Sequence, residues 1–216
     1  MAAVLIGPRC NRQVTCDSDP NNDRSESELV VNPLDPYNLV GASKRFTDPA
    51  DYLFSLAPYA TFDGGQTWTE SSLTLPSIPG KTVAGTSDPT VCFDDLGTAY
   101  LLGLIWGGPP LAFLGMVMYM SSDGGRTWGL PNVIDQGPDD KQAMAADLSP
   151  TSPYRGHVYA AWDLITSPGG IVFARSTNHG ATWTAQPEIL LVAQSCPPGA
   201  LLRSAWTAAA RSGFSA

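Results

Sequence analysis

"SSDGGRTW", Ser121 to Trp128, sets a polar, glycine-rich turn against a tryptophan, and the chain does this three times. "TFDGGQTW" (Thr61 to Trp68) and "STNHGATW" (Ser176 to Trp183) share the pattern [ST]-x-[DN]-x-G-x-T-W. The copies recur about every 60 residues, a period that marks a repeated structural unit. Asp63, Asp123 and Asn178 stand at the third position, where a short side-chain oxygen accepts hydrogen bonds from the N–H groups of its own turn. Gly65, Gly125 and Gly180 supply a backbone conformation that a side chain resists, and the threonine hydroxyl cross-links the turn. Trp68, Trp128 and Trp183 offer a large flat face for packing between units. Asparagine keeps the acceptor role without the charge, so the turn reads as a fastener rather than a metal site.

A weaker repeat lies upstream of each turn: "ESELVVNP" from Glu26, "DPTVCFDD" from Asp88 and "KQAMAADL" from Lys141. Each runs through a turn into an apolar stretch ("LVGAS", "TAYLLGL", "HVYAAWD"), then a second one ("APYAT", "MVMYMS", "IVFARS"), then the tryptophan turn. The tryptophan is expected to open a fourth strand. Four short antiparallel strands joined by hairpins, three times over, fit the blades of an all-β propeller. One such blade cannot bury both of its faces alone, so blades stack side by side around an axis. The boundaries read as blades at 26–75, 86–136 and 140–190. An N-terminal segment, 1–25, precedes them and an irregular tail or aborted fourth blade, 191–216, follows.

The three octapeptides resemble the Asp-boxes of the bacterial neuraminidase repeat, found in sialidases and related propellers. The resemblance covers residues 26 to about 190. It implies blades of a usually six-bladed ring, with the boxes at the third-to-fourth strand turns, away from the active face. It also implies glycoside hydrolysis of terminal sugars, a glycan or glycoconjugate partner, no cofactor, and an extracellular or periplasmic location. A full ring needs about 300 residues at this period, so the chain is expected to be a partial propeller whose open blade faces favour self-association. The same boxes occur in propellers without sialidase activity, which leaves a non-catalytic glycan- or protein-binding module as the alternative.

Bulk composition agrees with a packed, turn-rich domain. The 216 residues are 43% hydrophobic and 15% charged, with 21 Gly and 19 Pro. The net charge of −8 argues against nucleic acid as a partner. The most apolar window, Leu101 to Met120, is broken by Gly107, Gly108, Pro109 and Pro110, so it reads as two buried strands and not a membrane span. The first ten residues lack a basic leader and make a poor signal peptide. Cys10 and Cys16 flank a loop that a disulfide can close in an oxidising compartment. Cys92 has the neighbours of an inert core thiol, and no ligand set suggests a metal.

Strand order places the start of each inner strand, and each second-to-third loop, on the face opposite the boxes. Glu26, Asp88 and Lys141 are then repeat equivalents, with Asp140 adjacent. Arg45, Asp48, Asp51, Trp106 and Asp163 come from the loops. Asp88 is the first candidate for a general acid or base, and Glu26, Arg45, Asp140, Lys141 and Asp163 are candidate sugar contacts. Capping of loops and turns is the ordinary structural role of such residues, and Trp106 reads more readily as core. Neither His157 nor His179 looks catalytic.

Sialidase chemistry sets a stricter requirement: three arginines on the substrate carboxylate and a Tyr–Glu nucleophile pair. Arg126 and Arg155 fall on the box face and Arg175 precedes a box, leaving Arg24 and Arg45 on the site face. The arginine triad, the Arg-Ile-Pro motif and the Tyr–Glu pair are not identifiable.

Overall fold

The computed structural model describes residues 23–184 apart from 49, 109 and 168, together with residue 14 and the backbone of 188–192. The Cys10–Cys16 loop, Cys196 and the tail beyond 192 lie outside the described residues. Among the described residues, twelve strands form three antiparallel four-stranded sheets, each a simple meander in sequence order. The first contains β1 (Arg24–Asn32), β2 (Asp35–Asp48), β3 (Leu53–Thr61) and β4 (Thr69–Glu70). The second contains β5 (Val83–Phe93), β6 (Ala99–Gly107), β7 (Ala112–Ser121) and β8 (Asn132–Asp135). The third contains β9 (Asp139–Ala146), β10 (Val158–Leu164), β11 (Gly170–Ser176) and β12 (Glu188–Val192). The apolar window is indeed two strands, β6 and β7. The tryptophan opens the fourth strand only in the first sheet; β8 begins at Asn132 and β12 at Glu188.

Strand alternation explains how the sheets stack. In β6, Tyr100, Leu102 and Leu104 face the third sheet with Met116 and Met118 of β7, against Met144, Val158, Ala160 and Trp162. Leu101 and Ile105 face the first sheet with Val117 and Tyr119, against Ala42 and Leu56. The middle blade is therefore covered on both sides, and all nine residues of β6 are buried. That is why β6 reads as a continuous apolar run while β1, with exposed Leu29 and Val31, does not.

The boxes tie neighbouring blades together. In each, the first hydroxyl accepts the glycine N–H: Thr61 from Gly65 at 3.0 Å, Ser121 from Gly125 at 2.8 Å, Ser176 from Gly180 at 2.8 Å. The Asp123 carboxylate accepts the Thr127 N–H at 2.9 Å and its hydroxyl at 2.6 Å. Asn178 accepts the Thr182 N–H at 2.9 Å and donates its own amide to the Thr182 hydroxyl at 2.9 Å, so the cross-link survives with its polarity reversed. The second box docks on the first blade: buried Asn38 donates to the Gly124 carbonyl at 2.9 Å. Gly125 has φ +92°, and a Cβ there would meet Val40 at 2.6 Å. Trp128 and Trp183 each pack against the preceding blade. Trp68 instead lies on Tyr59 of its own blade, ring centroids 5.8 Å apart.

Candidate functional site

Each inner strand begins with the same defect. The β1–β2 register breaks between Ser25 and Glu28, and the β5–β6 register between Ser87 and Thr90. The β9–β10 register breaks on the stretch joining Asp140 to Ala143. At each break one non-glycine residue adopts the left-handed conformation: Glu26 (φ 55°), Asp88 (φ 53°) and Lys141 (φ 54°). These are the three positions that the sequence repeat makes equivalent. A bulge re-aims a side chain out of the strand's alternation, and a left-handed non-glycine residue costs on the order of 1–3 kcal/mol. Such strain persists where the surroundings hold it, and it concentrates at functional sites.

The re-aimed side chains converge at the end of the blades opposite the boxes. The Glu26 and Asp88 side chains are near enough to shift each other's protonation. Lys141 Nζ lies 3.7 Å from Asp88 Oδ2 and 3.7 Å from Asp140 Oδ1. Lys44 Nζ lies 3.5 Å from Glu26 Oε1 and sits over the Phe54 ring, 4.8 Å from its centroid. The Ser87 hydroxyl donates to Asp88 Oδ1, and the Gln142 amide donates to the Asp88 carbonyl.

Two neighbouring carboxyl groups do not ionise together easily. The Asp88 hydrogen bond, then burial, then the Asp88 charge hold Glu26 above the usual carboxyl range. Burial pushes Asp88 up, but the hydrogen bonds from Glu26 and Ser87 and the charges of Lys141 and Lys44 outweigh it and leave Asp88 below its usual value. Of the pair, Glu26 therefore releases its proton at the higher pH and Asp88 at the lower.

The other sequence candidates are distributed around this centre. Asp140 is half-buried and bonds the Lys141 N–H at 2.8 Å. Asp163, opposite Asp140 in the β9–β10 ladder, is only 7% exposed. Arg45 places Nη1 2.5 Å from Glu70 Oε1, and Arg24 places Nη2 2.6 Å from Glu70 Oε2. A cleft of about 260 Å³ opens beside Arg45, Glu70, Phe54 and Thr86, along the part of β3 that short β4 leaves uncovered. Trp106 is core: it is 4% exposed and packs on Phe54 with ring centroids 4.5 Å apart.

Sequence reasoning missed Lys44, Ser87, Gln142 and Glu70. Lys44 had a signal, since it faces Ser25 across the β1–β2 ladder beside Glu26. Glu70 had none, because its role depends on where a two-residue strand ends.

On the box face, His179 Nδ1 lies 3.0 Å from Asp94 Oδ2 and 3.7 Å from Asp95 Oδ1. These three are the one set of possible metal ligands that converges among the described residues. Asp94 also accepts from the Leu96 and Thr98 N–H groups and the Tyr100 hydroxyl, and Asp95 accepts Arg155 Nε at 2.5 Å. The cluster is a clasp between the second and third blades.

Comparison with solved structures decides the architecture. The chain superimposes on the NanB sialidase from Streptococcus pneumoniae with a TM-score of 0.55 at 8% identity, covering 85% of this chain and 47% of that one. The fold is that of a partial β-propeller. A Hadza microbial sialidase matches at 0.54 and 21% identity, over 74% of this chain and 36% of that one. The Penicillium chrysogenum α-L-arabinanase, complexed with arabinobiose, matches at 0.55 and 16% identity, over 82% and 50%. The propeller chain here therefore spans half or less of these relatives' lengths. At such identities the likeness establishes the fold alone. No family model matches the sequence, and no curated protein matches it.

Proposed function

We propose that this propeller, sialidase-like in fold, acts on carbohydrate as a glycoside hydrolase, with the Glu26–Asp88 pair as its acid/base unit. The observation that carries the reading is this pair, displaced in opposite directions on two strained, repeat-equivalent corners. Glycoside hydrolysis needs a carboxyl that holds a proton for the leaving oxygen and a carboxylate that accepts one. Glu26 supplies the first and Asp88 the second, with Lys141 and Lys44 holding the negative charge in place. Three of its structural relatives are glycosidases by name, which supports the class without fixing the sugar.

A second reading has its own support. Carboxyl groups that straddle a glycosidic bond stand about 5–9.5 Å apart, whereas Glu26 and Asp88 are immediate neighbours that share the influence of one proton. Held in that state, the same pair presents acceptors to sugar hydroxyls, and the chain binds glycans without cleaving them.

Release of nitrophenol from a panel of terminal aryl glycosides, measured beside glycan-array retention, separates the two. Turnover that Asp88→Asn removes supports the hydrolase. Retention without turnover, weakened by that substitution, supports the binder.

A further inference from the structure

We infer that Glu70 sets the specificity of this site toward neutral sugars by occupying both guanidinium groups that would otherwise receive a carboxylate; the inference rests on the carbohydrate reading above. Arg24 and Arg45 face each other across the β1–β2 ladder, at the same end of the blade as Glu26. Two guanidiniums so placed make a fork for an anionic ligand, because each offers parallel N–H donors to a carboxylate. Here the fork is already filled. Glu70 gives one oxygen to each arginine, at 2.6 and 2.5 Å, and it does so from β4, which ends at that residue.

The remaining cations at the centre are also engaged, Lys44 with Glu26 and Lys141 with Asp88 and Asp140. Glu26, Glu70, Asp88 and Asp140 thus give each of Arg24, Arg45, Lys44 and Lys141 a carboxyl partner before any ligand arrives. An incoming carboxylate would have to displace a covalently tethered one of the same charge. A neutral sugar meets no such competition: its hydroxyl groups donate to carboxylates and accept from ammonium groups without adding charge.

Saturation-transfer NMR on the whole chain tests this with three probes: methyl β-galactopyranoside, methyl α-arabinofuranoside and the methyl α-glycoside of N-acetylneuraminic acid. The expected result is transfer to one or both neutral glycosides, weakened at least tenfold by Asp88→Asn, and none to the sialoside. Glu70→Gln keeps the shape and removes the charge, and should bring the sialoside into measurable binding. Circular dichroism confirms that each variant is folded. Sialoside binding by the unaltered chain equal to that of the neutral sugars overturns the inference and leaves the carbohydrate site standing. Neutral binding with no sialoside gain in Glu70→Gln overturns the role of Glu70. Binding of none of the three overturns the site reading and the inference with it.

Discussion

Glu26 and Asp88, one repeat apart in the chain, stand as neighbouring carboxyl groups, each held in a left-handed backbone conformation at the start of an inner strand. A meander of β-strands normally sends equivalent residues of adjacent blades outward in parallel. The bulges turn these two toward each other, and the strain of on the order of 1–3 kcal/mol per corner is offset by the stacked blades behind them.

The pH dependence of any turnover follows from the pair. Glu26 must be protonated to act as acid, so rate falls as pH rises through its elevated value; Asp88 must be ionised, so rate falls again as pH drops through its depressed one. Lys141 lowers both values. Lys141→Met should therefore move both limbs of the pH–rate profile to higher pH. Glu26→Gln should cost roughly 10²–10⁴-fold in rate at all pH values and abolish the alkaline limb.

Asp139 offers a separate pH test, on stability. It is fully buried, with its carboxyl beside that of Asp135. Burial, then the neighbouring Asp135 charge, push its pKa from 3.8 to about 7. The unfolded chain releases this proton near 3.8, so the protonated form favours folding most below that pH. The contribution is lost progressively as pH rises to about 7, and stays lost above it. Asp139→Asn removes the charge at every pH. It should raise unfolding free energy by on the order of 2–4 kcal/mol at pH 8 and change it little at pH 4, read by urea denaturation at both.

Two glycines separate backbone strain from packing. Gly80 has φ +73° with nothing near its absent Cβ, whereas Gly125 has φ +92° and Val40 2.6 Å away. Gly80→Ala should cost about 1 kcal/mol. Gly125→Ala adds an overpacking penalty of roughly 1–3 kcal/mol, because the box must lift from the first blade. Thermal denaturation of the two variants checks the order; equal losses would mean that the box is not seated on Val40.

The box carboxylate should tolerate loss of charge but not loss of its oxygens. Asp123→Asn retains an acceptor for the Thr127 N–H and a group for the Thr127 hydroxyl, as Asn178 does for Thr182. The expected cost is below about 1 kcal/mol, against about 1–3 kcal/mol for Asp123→Ala, which leaves those donors unmatched. Chemical denaturation of the pair of variants measures the difference.

The repeat of tryptophan turns and the alternation of apolar residues were enough to determine a stack of four-stranded antiparallel blades, because both patterns report local geometry. A turn needs its own acceptor and glycine, and a strand's faces follow its period of two. The same repeat aligned Glu26, Asp88 and Lys141, yet nothing in the residues themselves announced the bulges that turn them inward. Only the tertiary structure decided which charges neutralise which: Glu70 reaches Arg24 and Arg45 because β4 stops there, Asp163 is buried by its ladder, and Asp139 is sealed beside Asp135. Charge pairing falls off over a few ångströms and is set by side chains far apart in the chain, so it becomes visible only once the blades are stacked.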